Sequence, residues 1–76
     1  MKLKEAIEVI YGDVNIIRNF WELVGTIHSA KDLGYKVINA DADEQEKIAS
    51  KIQGLYDAQV EDISLNKKGE ICIYVK

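Results

Sequence analysis

Four carboxylates, Asp41, Asp43, Glu44 and Glu46, crowd the six residues 41–46, the most charge-dense run in the chain. Carboxylates at that density raise a divalent-cation site first. A calcium loop of the EF-hand type takes ligands at its first, third and fifth positions, glycine at the sixth and glutamate at the twelfth. Counted from Asp41, the sixth position is Glu46 and the twelfth is Ile52, so the template fails twice. Helix initiation accounts for the run instead. Asp41 with Glu44, and Asp43 with Glu46, stand at capping-box separation. Carboxylates in a first helical turn also meet the positive end of the helix dipole, worth typically about 0.3–1 kcal/mol each. No metal and no cofactor is expected. The run remains an acidic surface, because the acidic excess of the chain is concentrated in residues 35–46.

A Cys–His–Asp hydrolase would have to be assembled from the one histidine, His28, the one cysteine, Cys72, and Asp62. That chemistry needs the imidazole within reach of the thiol. His28 follows Ile27 on an apolar stretch, Cys72 and Asp62 lie on the less apolar side of a C-terminal hairpin, and no spacing links them. One cysteine and one histidine also fall short of a closed zinc site, which usually takes four such ligands. No catalytic residue, no enzyme and no small-molecule substrate is expected.

The third chemical feature is the basic tip Asn66-Lys67-Lys68-Gly69. A nucleic-acid role would run through Lys67 and Lys68, with Arg18 or Lys51 added when two copies associate. Two lysines on two phosphates give a salt slope of only about −1.8. A winged-helix arrangement needs two helices between its first strand and its hairpin, and residues 41–57 carry one continuous helical pattern. No phosphate-cradling glycine motif is present. Nucleic-acid binding is therefore the alternative, not the first reading.

The elements that position these residues follow from periodicity. Leu3, Ala6, Ile7, Ile10 and Tyr11 repeat as one face of a helix. Gly12 stops it, and Asp13 is expected to cap a long second helix over residues 14–33. On that helix Ile17, Phe20, Trp21, Val24, Ile27 and His28 share a face, which Ile16 and Leu23 broaden. Gly25 inside it costs up to about 1 kcal/mol relative to alanine, which implies close packing of another element or a bend. Gly34 supplies a left-handed cap ahead of a strand over residues 35–40. Ile48, Ala49, Ile52, Leu55 and Tyr56 mark a third helix. In the C-terminal hairpin, Asn66 and Gly69 take the first and fourth places of a type I turn, which pairs Leu65 with Ile71 and Ile63 with Ile73. Leu65, Ile63, Ile71, Ile73 and Val75 then share an apolar face that helices must cover.

The expected fold is one α+β domain over residues 1–76: a helical portion, 1–34, with two N-terminal helices, then a β-α-β-β portion, 35–76. Its small three-stranded sheet carries helices mainly on one face. The composition, 47% hydrophobic and 30% charged, is that of a soluble globular domain. No apolar run reaches the roughly 20 residues that span a bilayer. Glu5 and Glu8 interrupt any signal-peptide core, and a lone thiol suits the cytoplasm. A domain this small gains no disulfide from one cysteine, so self-association is the expected support. The function read from these features is a small non-enzymatic protein-interaction module (a regulator, inhibitor or accessory subunit) that self-associates. Phe20 and Trp21 are most simply core, but a chain this short leaves apolar surplus, and Ile16, Phe20, Trp21 and Leu23 form its expected partner or homodimer surface.

Overall fold

The computed structural model describes residues 1–76. Its elements are α1 (Leu3–Val9), β1 (Tyr11–Arg18), β2 (Glu22–Ala30), a single 3-10 turn (Lys31–Leu33), β3 (Tyr35–Ile38), α2 (Ala42–Gly54), β4 (Val60–Leu65) and β5 (Ile71–Val75). The class is α+β, with two helices and one five-stranded mixed sheet in the order β3-β2-β1-β5-β4. Neighbouring strands are antiparallel except β1 and β5, which run parallel.

The long second helix does not exist. Residues 14–33 form most of a β-hairpin, and Gly12 and Asp13, expected as stop and cap, lie inside β1. The segment is rich in β-branched side chains (Val14, Ile16, Ile17, Val24, Thr26, Ile27), which favour extended backbone. A period of two governs what is buried: Val14 and Ile16 on β1, Ile27 and Ser29 on β2. The helical stripe arose because residues from both strands and both sheet faces happened to fall three and four apart. The three-stranded sheet is correspondingly five-stranded, and β3 pairs with β2, not with either strand of the C-terminal hairpin.

The C-terminal hairpin has the expected register, with Leu65 opposite Ile71 and Ile63 opposite Ile73. Asn66 makes the turn: its Oδ1 accepts from the Lys68 and Glu70 amides, and its carbonyl accepts from Gly69 N–H at 3.0 Å. Helix α2 starts where the carboxylates placed it. Asp41 is the N-cap, and its Oδ1 accepts from Glu44 N–H at 2.9 Å. Asp41→Ala is expected to lower stability by about 1 kcal/mol in urea melts, while Asp41→Asn stays near the parent.

Both helices cover the same sheet face. Leu3, Ala6 and Ile7 of α1 and Ile52 of α2 close over Val14, Ile16, Ile27, Val37, Ile73 and Val75. The expectation of helices mainly on one face needs one qualification. Cover stops short of β4, where Leu65 is 67% and Ile63 43% exposed. Gly25 faces Ile48 of α2 so closely that a Cβ built on it would overlap Ile48 Cγ2. Close packing, not a bend, is why glycine stands there.

Candidate functional site: the uncovered sheet face and its aromatic hairpin tip

The face of the sheet turned away from the helices has no cover, and strand register fixes what stands on it. One row across the sheet is Lys36, His28 and Asp13. The next is Ile38, Thr26, Asn15, Cys72 and Ser64, and the third is Leu23, Ile17, Tyr74 and Asp62.

The first row holds an Asp–His pair that one-dimensional spacing does not disclose. His28 Nδ1 lies 2.8 Å from Asp13 Oδ1, and Tyr11 packs edge-on against the imidazole with ring centroids 5.4 Å apart. Cross-strand register brings these residues together, so only a correct hairpin assignment could have found them. Neither expected partner of His28 in a hydrolase joins it. Cys72 stands two strands away and two residues along, roughly 12 Å at ordinary sheet spacings. Its thiol is 2% exposed and takes a long contact from the Asn15 amide at 3.8 Å. Asp62 stands farther off, on β4. Ser29 points to the opposite face, buried, where its hydroxyl donates to the Ile7 carbonyl at 2.7 Å. The middle row is polar and internally bonded, with Thr26 Oγ1 donating to Asn15 Oδ1 at 2.7 Å.

Apart from Asp62 at its β4 end, the third row is apolar, and it continues into the β1–β2 turn. Phe20 stacks on Tyr74 with ring centroids 5.5 Å apart. Leu23, Phe20 and Trp21 are 58, 63 and 78% exposed. Asn19 and Phe20 both have positive φ, 55° and 66°, and Trp21 N–H closes the turn on the Arg18 carbonyl at 3.3 Å. That is the type I′ pattern, which favours asparagine then glycine. Phenylalanine occupies the glycine place at a cost of about 1–2 kcal/mol. Below the tip, Arg18 clamps Glu22 with three hydrogen bonds of 2.8 to 3.0 Å and squares the strand ends. Of the four residues expected at a partner surface, three are thus exposed at one end of the sheet. Ile16 is not among them: it is wholly buried in the core, because strand alternation turns it towards the helices.

The other expected surfaces are spread around the molecule. Asp43, Glu44 and Glu46 are exposed on the first turns of α2, and Lys67 and Lys68 on the β4–β5 turn. No three His, Cys, Asp or Glu side chains converge to hold a metal ion. A depression of about 150 Å³ between α1, the 3-10 turn and the segment after α2 is lined in part by Lys4, Lys31, Tyr35 and Tyr56. That is below the roughly 300–1,000 Å³ usual for ligand pockets, a range that open depressions of about 390 Å³ along α2 and about 450 Å³ between β2 and α2 do reach. Burial raises the Tyr35 phenol above its ordinary range, and the neighbouring Tyr56 hydroxyl adds to the effect, so Tyr35 stays protonated and neutral. No helix is long and apolar enough to cross a membrane. No family model, no curated protein and no solved structure matches this chain.

Proposed function

We propose that this chain is a non-enzymatic protein-interaction module, a regulator or accessory subunit, that seats a protein partner on the β1–β2 tip and the apolar row behind it. One observation carries the reading. A large aromatic side chain, Phe20, holds a left-handed backbone position in the open, beside an exposed tryptophan and leucine. Folding alone favours glycine at that position, and strain of this kind concentrates where a surface has work to do. Phenylalanine, tryptophan and tyrosine are also the residues enriched at interface centres. The non-enzymatic part of the reading draws on the Asp13–His28 pair, whose row, shared with Lys36, holds no serine, threonine or cysteine.

Trp21 is the only tryptophan, so the proposed surface carries its own reporter. Candidates are captured from the source cells on the immobilised chain and then titrated, purified, against the free chain. The expected result is a blue-shifted emission and protection from acrylamide quenching. A captured protein that binds stoichiometrically and leaves Trp21 emission and quenching unchanged sinks the assignment of this surface.

A further inference from the structure

We infer that two copies of the chain pair through the free edge of β4, in antiparallel register with the two-fold axis at Ser64, joining two five-stranded sheets into one. This goes beyond the partner surface at the β1–β2 tip, which the pairing leaves free.

The two edges of the sheet differ. Strand β3 has four residues with an exposed lysine in the middle, a form that discourages pairing. Strand β4 has six residues and no lysine or proline, and its one bulge is confined to the Val60–Asp62 end. The direction of its free backbone groups follows from the turn. Asn66 N–H donates to the Glu70 carbonyl at 3.0 Å, so the alternation of an antiparallel ladder aims Ser64 and Asp62 at β5. The N–H and C=O groups of Ile63 and Leu65 therefore point outward with no strand beside them. One end of this edge is closed: Val60 N–H donates to the Met1 carbonyl at 2.8 Å, and Lys2 bridges Gln59. A bulge between Val60 and Asp62 breaks the alternation there, so the regular open edge begins at Ile63.

What selects a second copy as the occupant is the order of side chains in Glu-Asp-Ile-Ser-Leu-Asn-Lys, residues 61–67. Turned antiparallel on itself about Ser64, the segment sets Ile63 across from Leu65, Asp62 across from Asn66 and Glu61 beside Lys67, each twice. The outward-facing backbone groups of Ile63 and Leu65 meet their counterparts as a hydrogen-bonded pair, and Ser64 meets Ser64 at the unbonded position between. Other registers are worse. An axis at Ile63 sets Leu65 against Glu61, and an axis at Asp62 sets two carboxylates face to face. A shift by one residue would turn apolar side chains onto the polar face. Within one chain, Glu61, Asp62, Lys67 and Lys68 form no ion pair, although the same chain pairs Lys2, Arg18 and His28 with carboxylates. In the paired edge each basic turn lies beside the acidic start of the other copy's β4. The exposed Ile63 and Leu65, left uncovered by the helices, gain cover at the same step. An axis perpendicular to the sheet puts both uncovered faces on one side, so the dimer presents two aromatic tips to the same partner.

Sedimentation velocity on the full chain tests the inference, with far-UV circular dichroism to verify that each variant is folded. The parent is expected to dimerise reversibly, and less tightly at high salt. Glu61→Lys and Lys67→Glu should each weaken the dimer about tenfold, because each turns two attractive contacts into repulsive ones. Combined, they should restore affinity to near the parent value. Leu65→Lys, at an exposed position, should leave a folded monomer. A parent that stays monomeric into the high micromolar range overturns the inference. So does a dimer indifferent to Leu65→Lys, or one that the combined charge exchange fails to restore. A dimer lost with Trp21→Ser but kept with Leu65→Lys also overturns it, while leaving the tip surface standing.

Discussion

Gly25→Val is expected to leave the protein largely unfolded at room temperature, and Gly25→Ala to lower its melting temperature by about 10 °C. Gly25 lies opposite Ile16 on β2, under α2, where a Cβ would overlap Ile48 Cγ2. Its φ is not in the left-handed region, so alanine fits the backbone and the penalty is steric. The colliding methyl sits on a branched Cβ, which cannot swing clear without changing χ1 or lifting the helix. Overpacking of this kind costs about 1–3 kcal/mol for one carbon and more for a branched side chain. A domain of this length has roughly 4–11 kcal/mol in total, at 0.05–0.15 kcal/mol per residue. A loss of about 2 kcal/mol moves the midpoint of so small a domain by about 8–16 °C. Ile48→Ala removes the colliding methyl, so it should cost less in the Gly25→Ala background than in the parent. Thermal melts of the four proteins measure that coupling. A Gly25→Ala variant melting within about 2 °C of the parent would show that β2 and α2 are not packed this closely.

The same glycine shows what could and could not be read from the sequence. That it needed an explanation was legible, as either a close neighbour or a bend, and the structure shows the close neighbour. The element holding it was misassigned, because helical and extended periods coexist in residues 14–33. The C-terminal hairpin could be assigned to the residue because Asn66 and Gly69 are the turn's own chemistry. The first hairpin lacked that mark: Asn19 is in place, but phenylalanine stands where glycine would have announced the turn. Everything on the uncovered face depends on that one missing signal. With the hairpin unread, Asp13 and His28 could not be brought together, and Ile16 could not be sent inside. Phe20 and Trp21 were readable either as core or as a partner surface, because a chain of 76 residues has too little core to be sure of burying both.

The substitution that hid the hairpin also allows function and folding to be separated. Phe20→Gly should leave thermal stability within a few degrees of the parent. It relieves the left-handed strain of about 1–2 kcal/mol. Against this it forfeits a stacked contact with Tyr74 worth about 0.5–1.5 kcal/mol, and glycine adds roughly 0.5–1 kcal/mol of chain entropy to be lost. Trp21→Ser should be equally silent in folding, since the side chain it removes is 78% exposed. Binding should respond in the opposite way. Truncating an aromatic anchor at an interface centre costs about 2 kcal/mol or more, a weakening of roughly thirtyfold, and the two changes together should remove measurable association. Calorimetric titration of the captured partner against the parent and both variants, with melts of each, gives the two columns needed. If Phe20→Gly unfolds the protein, the ring is structural and its strain is no mark of a contact surface. If both variants fold and bind like the parent, the partner sits elsewhere. Only stable variants that fail to bind leave the exposed aromatic tip as the reason why this chain keeps phenylalanine in a glycine position.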